Sequence, residues 1–324
     1  MPIFGRSKSS PDWSDLGRVC VDLLESLPRE NENEHLREIF QTIRTMKDTI
    51  MNSEADEQTT FWQETYSSGF LLKVLPNLRK LDFEAKKDVR QIFFSALQRR
   101  IGTTYPTVDY ILEKPEILNL LCAQYESQGD GLNTGPILRE CLSYPELTSV
   151  FLASESLYKL FSYCELPTFD TASDAFCTLR LVLTKHKKLS SEFLNTNYER
   201  FFQRLDKMIL SENYATRRQF IKLLSDILLE RTNFTVMSQY ISNPHHLKTV
   251  MGLLKDKSPS IQYEAFHVFK ILAANPRKPE SVVDILTRNK SKLIKLLTNF
   301  LPDRNSEVQF SEDKEYLLKQ IESL

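Results

Sequence analysis

The sequence predicts an all-α fold built from helical repeats, and three observations support this prediction. Glycine is scarce, with 8 in 324 residues, whereas the phosphate loops and tight turns of α/β enzymes consume glycine. Several prolines lie at the edges of helix-like segments, as in "EKPEIL" and "SNPHHL", where proline is tolerated. Two independent apolar patterns recur with one irregular period of about 45 residues, a length typical of helical repeats.

The first pattern is an apolar residue that leads into a long amphipathic segment. "FEAKKDVRQIFFSALQRR", which starts at Phe83, aligns without a gap on "YATRRQFIKLLSDILLER", which starts at Tyr214. Both place a pair of cations three positions after an aromatic residue. Looser relatives start at Leu132, Phe169 and Ile261, so the spacings run from 37 to 49 residues. We therefore predict one long helix at each of these five positions.

The second pattern is a pair of adjacent apolar residues ahead of another amphipathic run. The pairs are Ile111–Leu112, Phe151–Leu152, Phe193–Leu194, Tyr240–Ile241 and Ile285–Leu286, at spacings of 40 to 47 residues. Each repeat is thus predicted to hold a long helix, a short helix and another helix. A period of this length, in segments that are predicted to contain only helices and turns, is typical of armadillo or HEAT-like repeats. We expect a right-handed superhelical solenoid of about six to seven repeats.

The repeats predict a single elongated domain over residues 1–324. Residues 1–80 would supply an N-terminal cap and a first repeat, residues 81–302 the core repeats, and residues 303–324 a C-terminal capping helix. Caps are expected because a terminal repeat must cover the apolar face that its missing neighbour would bury.

Composition argues against several classes of protein. The net charge of −1 gives no sign of binding to nucleic acid or to an anionic membrane, and no apolar run is long enough for membrane insertion. The five cysteines are scattered without a C-x-x-C motif, which predicts buried reduced thiols. The start of the sequence lacks a secretory apolar segment. We expect a cytoplasmic protein.

The sequence carries no recognisable catalytic constellation. It contains no G-x-S-x-G, H-E-x-x-H, Walker loop or dinucleotide fingerprint. His245 and His246 are adjacent, so on a helix they point about 100° apart and form a poor metal pair. We expect neither an enzyme nor a metal or cofactor site.

Two groups of cations are candidates for partner binding. The first is Arg217, Arg218 and Lys222, in the turns that follow Tyr214, with Arg231 at the end of the same segment. In one interpretation these cations only solvate a surface, and Arg231 interacts favourably with the helix dipole. In the other they line a groove that binds acidic groups, for which arginine is preferred.

The second group is Lys248, Arg288 and Lys292, with Met251 among them in repeat order. A methionine rimmed by cations suits a pocket for an apolar side chain next to a carboxylate. The alternative is a core methionine beside solvated cations.

Several strings also carry a family resemblance. "FDTASDAF", "SENYATRRQFIKLLSDILLERTNF", "DKSPSIQYEAFHVFKILAANP" and "IGTTYPTVDYI" resemble the calcium-binding protein thirty-nine family, also called the Mo-twenty-five-like family. The resemblance covers essentially the whole chain and is strongest over residues 169–276. It implies a non-catalytic scaffold of armadillo-like repeats that binds and activates Ste20 (germinal-centre) type protein kinases or a STRAD-like pseudokinase. An LKB-type or NDR-type kinase would join the same assembly, in signalling for cell polarity and morphogenesis.

The resemblance implies two surfaces. The family's concave face, which grips the kinase N-lobe, maps onto Tyr214, Arg217, Arg218, Lys222, Arg231 and Phe234. A pocket for a Trp-Glu-Phe-like tail of the partner maps onto Lys248, Met251, Arg288 and Lys292. Arg288 departs from the family pattern, because the family usually has lysine there.

A rival hypothesis is a generic armadillo peptide adaptor, such as a transport receptor. Such receptors carry regular asparagine and tryptophan ladders on their concave helices. Here Trp13 and Trp62 both lie in the N-terminal part, so the sequence favours the kinase scaffold.

Overall fold

The computed structural model describes residues 15–26, 32–52, 58–127 and 129–324, and these form nineteen α-helices joined by short turns and 3₁₀ segments. The predicted all-α class is confirmed. The helices are α1 Leu16–Glu25, α2 Glu32–Asn52, α3 Gln58–Ser67, α4 Phe70–Lys73, α5 Phe83–Gln98, α6 Pro106–Glu113, α7 Glu116–Ala123, α8 Gly131–Cys141, α9 Pro145–Leu152, α10 Ser156–Tyr163, α11 Phe169–Thr184, α12 Lys187–Thr196, α13 Tyr198–Ile209, α14 Tyr214–Leu229, α15 Phe234–Ile241, α16 Pro244–Leu253, α17 Pro259–Ala274, α18 Glu280–Thr298 and α19 Val308–Glu322.

The repeat predicted from the sequence is present. Five lead helices, meaning the first helix of each predicted repeat, begin at Phe83, Gly131, Phe169, Tyr214 and Pro259. In each of the first four repeats, two shorter helices follow the lead helix, and the second apolar pattern lies in the first of them. The order long, short and further helix is therefore confirmed for these repeats.

The last repeat departs from this order. Its second and third helices are fused into α18, a helix of 19 residues that contains Ile285 and Leu286 in its second turn. In the earlier repeats a proline or turn breaks the chain just after the apolar pair, as in "EKPEIL" and "SNPHHL". The corresponding segment "LTRNKSKL" contains neither proline nor glycine, so nothing in it interrupts the helix.

Local capping explains why the helices begin where they do. The side chain of Asp82 accepts a hydrogen bond from Ala85 N at 2.7 Å, and that of Asn213 accepts one from Ala215 N at 3.0 Å. Pro106, Pro145 and Pro244 occupy the first position of their helices, where a missing N–H costs nothing. Capping side chains and prolines thus mark the starts of several helices.

Contacts divide the chain into two compact units, Met1–Val182 and Leu183–Leu324. The domain boundaries predicted above, at residues 80 and 302, stay predictions, and parts of the predicted N-terminal cap lie outside the described residues. Trp13 is among those undescribed residues, whereas Trp62 is buried in α3. No described helix is both long enough and apolar enough to cross a membrane.

The cysteines correct one expectation. Four of the five are buried, and burial raises the pKa of Cys20 and of Cys122 to about 12. Cys177 is exposed, although the sequence predicted a buried thiol. Its neighbour on α11, Phe176, is buried. The two side chains differ in exposure because successive residues of a helix point in directions about 100° apart.

Six ion pairs that involve a lead helix, or the residues just before one, share one polarity. The cation lies on the earlier helix, and the acid lies on the later helix or on the residues just before it. The pairs are Lys47–Asp88, Lys86–Asp130, Arg139–Asp174, Arg217–Asp256, Arg218–Glu264 and Lys270–Asp313. Side-chain charges therefore help to set the register of one repeat on the next.

Candidate functional site

The candidate binding surface of the second unit is centred on α14. Tyr214, Arg218 and Lys222 follow one another at intervals of four residues, so they share one face of the helix. All three are exposed, whereas the opposite face, which includes Phe220 and Leu224, is buried. The side chain of Asn213 fixes the first turn of this helix by accepting hydrogen bonds from Ala215 N and Thr216 N. The surface is therefore carried by a rigid, capped helix.

Arg218 forms a single ion pair, through one terminal nitrogen of its guanidinium. Its Nη2 atom lies 3.4 Å from Oε1 of Glu264 on α17, and the arginine side chain is 50% exposed, whereas that of Glu264 is 10% exposed. A single long contact leaves other N–H groups of the guanidinium able to donate to an incoming acceptor. The geometry suits an arginine that covers a buried acid and still binds an acidic group from outside.

Tyr214, the first residue of α14, also contacts α17. Its pKa is lowered, chiefly because the side chain of Ser260 on α17 hydrogen-bonds to its hydroxyl, with Ser258 and the charge of Arg218 adding to the effect. The ring remains 46% exposed. Tyr214 therefore presents an aromatic face while its hydroxyl is tied to the start of α17.

Arg217 differs from its neighbour, because it is turned toward the loop before α17. Its Nη2 lies 3.3 Å from Oδ2 of Asp256, and its side chain is 23% exposed. A second contact runs from Nη1 to the carbonyl of Ser211 at 3.4 Å. In this structure Arg217 joins α14 to the next repeat, so it supports the surface from behind.

Arg231 and Phe234 lie beyond the end of α14, and both are exposed. Arg231 begins a 3₁₀ turn, and Phe234 begins α15 with 68% of its surface accessible. Phe83 and Phe169 are exposed to a similar degree, so Phe234 indicates a binding surface only together with the neighbouring cation Arg231. The exposed cations and aromatic residues thus run from the first residue of α14 to the start of α15.

The second predicted group lies on two helices in contact, α16 and α18. Lys248 is exposed and Met251 half-buried, one helical turn apart on α16. Arg288 is exposed and pairs with Asp284 of its own helix at 3.3 Å. Lys292 follows Arg288 by four residues on the same face of α18. The structure therefore places these four residues on neighbouring helices.

An open cavity of ≈ 480 Å³ lies beside this group and shares only Lys292 with it. Its lining comes from the residues just after α16, the start of α17, and the last turns of α18 with the residues that follow them. The lining residues are Lys255, Gln262, Lys292, Lys295, Leu296, Asn299, Phe300 and Leu301. We name this space the lysine cavity.

Sequence reasoning missed two features that the structure brings to these surfaces. The first is Glu264, the acid that pairs with Arg218. Its signal in the sequence was its spacing: Glu264 falls between Ile261 and Val268 at helical intervals, so it shares their buried face of α17. The lysine cavity was missed because three separate segments line it. Its signal was weaker: Lys292 and Lys295 lie one turn apart, just ahead of an apolar end.

Among the residues that the structure describes, no group of three His, Cys, Asp or Glu side chains could hold a metal ion.

Comparisons with known proteins identify the family. A family model described as Mo25-like matches residues 3–324. The mouse protein "Calcium-binding protein 39-like" is 42% identical over 331 residues, covering 100% of this chain and 98% of its own. "MO25-like protein 2" of Caenorhabditis elegans is 42% identical over 335 residues, with 100% and 98% covered. "Mo25-like protein" of Schizosaccharomyces pombe is 39% identical over 324 residues, with 98% of each chain covered. Because both the family model and these relatives span the chain almost end to end, the chain belongs to the Mo25-like family.

Proposed function

We propose that the chain is a non-catalytic scaffold that binds and activates a Ste20-type protein kinase or a STRAD-like pseudokinase. The α14 surface would bind the kinase domain, and an LKB-type or NDR-type kinase would be activated in the same assembly. The observation that carries the proposal is the row of exposed aromatic and cationic side chains Tyr214, Arg218, Lys222 and Phe234. Aromatic residues and arginine are enriched among the residues that dominate binding energy at protein interfaces.

The mechanism requires no chemistry from this chain. The α14 surface would bind the active form of the kinase domain more tightly than the inactive form, which shifts the population toward the active form. Hundredfold activation needs a difference in binding free energy of about 2.7 kcal/mol between the two forms. Arg218 and the open ring of Phe234 are the groups that would supply most of this difference.

A second contact would increase the local concentration of the kinase domain. Lys248, Met251, Arg288 and Lys292 would hold a Trp-Glu-Phe-like tail of the partner, with Met251 against an aromatic ring and the cations near the acidic group. Once the tail is bound, binding of the kinase domain at α14 becomes intramolecular. This strengthens the whole complex without any additional contact at α14. The half-buried position of Met251 and the exposed cations around it support this assignment.

The test is a pull-down from cell extract with the wild-type chain beside Arg218→Ala and Met251→Ala, read by mass spectrometry. We expect wild type to enrich a Ste20-type kinase or pseudokinase, and each variant to lose at least tenfold of that enrichment. Lys207→Ala, an exposed lysine on α13, is the matched control and should behave like wild type. Recovery of transport cargo without a kinase would support the peptide-adaptor hypothesis and overturn the scaffold.

A further inference from the structure

Apart from Lys292, which the tail pocket shares, the residues of the lysine cavity have no role in the proposed scaffold. Three of its eight lining residues are lysines, and none is acidic. Lys255, Lys292 and Lys295 are all exposed at the rim, and in the described part of the chain none of them forms an ion pair. One lysine at the end of a helix is what the helix dipole favours, but three around one cavity form a concentrated positive field.

The floor of the cavity is apolar and firmly held. Leu296, Phe300 and Leu301 line it. The ring of Phe300 is buried, with its centroid 5.6 Å from that of Phe266 on α17. The cavity therefore combines a cationic rim with a hydrophobic base, which is the usual composition of a specific ligand site.

The wall of the cavity also carries backbone strain. Leu301 has φ 45° and ψ 61°, the left-handed conformation, and it is the one non-glycine residue with positive φ in the described chain. It also precedes Pro302, although the residue before proline favours an extended conformation. Residues held in such conformations concentrate at ligand-binding sites. The apolar wall of the cavity thus includes a residue with a strained backbone.

We propose that the lysine cavity binds a phosphorylated side chain of a peptide that carries a large apolar residue next to the phosphate. All three cations are lysines, whose flexible ammonium groups can act together as point charges on one phosphate. A phosphoserine carries a charge of about −1.5 to −2 and three acceptor oxygens, so it matches three unpaired lysines better than one carboxylate does. The apolar neighbour would pack on Leu296, Phe300 and Leu301.

The test measures peptide binding directly, with the full chain and without any kinase. Fluorescein-labelled peptides with phosphoserine followed by leucine or phenylalanine, and mixed residues elsewhere, are screened on the protein, and the best is titrated by fluorescence polarisation. We expect it to bind at least tenfold more tightly than the same peptide with serine, and several-fold more tightly than the version with glycine after the phosphoserine. Equal binding of the phosphorylated and unphosphorylated peptides would overturn the proposal.

Variants locate the site. Lys255→Glu and Lys295→Glu should each weaken binding at least tenfold, whereas the matched control Lys207→Glu on α13 should stay within twofold. Leu301→Gly removes the apolar wall and relieves the positive φ, so we expect weaker peptide binding with a melting temperature that does not fall. Unchanged affinity in both lysine variants, with circular dichroism showing a folded chain, would contradict the assignment.

Two further arms separate the source of the phosphate. Inorganic phosphate should compete only at millimolar concentration, and vesicles containing phosphatidylinositol phosphates should not bind through Lys255 and Lys295. Binding of vesicles but of no phosphopeptide would replace the proposal with a membrane headgroup site. The peptide assay and the kinase pull-down fail independently, so loss of kinase enrichment would leave this site standing.

Discussion

Two pairs of neighbouring lead helices, α8 with α11 and α14 with α17, use the same kind of ion pair in different ways. In the first pair Arg139 binds Asp174 through both terminal nitrogens, at 2.9 and 2.8 Å, and the two side chains are 22% and 17% exposed. In the second pair Arg218 reaches Glu264 through one nitrogen at 3.4 Å. The first ion pair is saturated, whereas the second retains free donors at the surface.

The surroundings of the first pair explain why it is closed. The hydroxyl of Tyr125 donates to Asp174 at 2.5 Å, and Arg139 also donates to Thr178 at 2.9 Å. Gly135 gives the network room, since a Cβ there would lie 2.0 Å from an oxygen of Asp174. The tyrosine and the glycine thus allow the arginine–acid pair to be enclosed. We call the network of Arg139, Asp174, Tyr125 and Thr178 the internal clamp. The α14 pair lacks such a cover, so Arg218 keeps N–H groups that are accessible at the surface.

The largest expected effect breaks the closed pair. Asp174→Ala leaves Arg139 partly buried without its acid and removes the acceptor of the Tyr125 hydroxyl. Removing one partner of a buried ion pair leaves an uncompensated charge, so we expect a loss of about 3 kcal/mol in the free energy of unfolding. Urea denaturation followed by circular dichroism measures it.

Glu315→Ala is the matched control for this prediction, because it breaks a fully exposed pair with Lys319 one helical turn away. Surface pairs of this kind contribute little, so the urea midpoint should not move. Equal midpoints for Asp174→Ala and Glu315→Ala would mean that the clamp carries no stability.

A smaller effect is expected at the open pair. Sequence considerations alone suggest that Arg218→Ala would leave stability unchanged, but the structure places the nearly buried carboxylate of Glu264 beneath it. We expect a loss of about 1 kcal/mol in the free energy of unfolding, since a partly exposed pair contributes less than a buried one. Urea denaturation again measures it.

The double variant Arg218→Ala/Glu264→Gln sharpens this result. Because the neutral amide no longer needs a cation, the double variant should regain part of the lost stability and still fail to bind the partner. A double variant less stable than Arg218→Ala would show that Glu264 is held by something other than the arginine.

The smallest effect concerns pH. Burial, followed by the charge of Lys270, lowers the pKa of His267 on α17 below its ordinary value. The unfolded chain therefore takes up a proton near pH 6.5 before the folded chain does. The stabilising contribution of neutral His267 is present above that pH and is lost as pH falls toward its folded pKa.

Urea denaturation at pH 7.5 and pH 5.5 tests this sign. Wild type should lose more stability between the two values than His267→Gln, in which the titrating group is absent. An identical drop in both proteins would assign the acid sensitivity to other groups.

The fold was predictable because its signals are local. Proline, capping side chains and the apolar period mark each helix within a few residues, and Asn213 illustrates this at the start of α14. The fusion of α18 was harder to foresee, because it depends on the absence of a breaker in one segment. The candidate cations were visible in the sequence, but their partners were not. Arg218 and Glu264 are 46 residues apart, and only the packing of α14 on α17 brings them together.

The shared polarity of the ion pairs has a consequence for how such chains grow. The repeat that begins with α8 has an acid toward the preceding repeat, Asp130 paired with Lys86, and a cation toward the following one, Arg139 paired with Asp174. An in-frame duplication of a whole repeat would therefore meet a matching charge at both of its new junctions. Inverting a repeat would instead set like charges against each other. Where it is present, this charge pattern favours tandem copying of a repeat over its inversion.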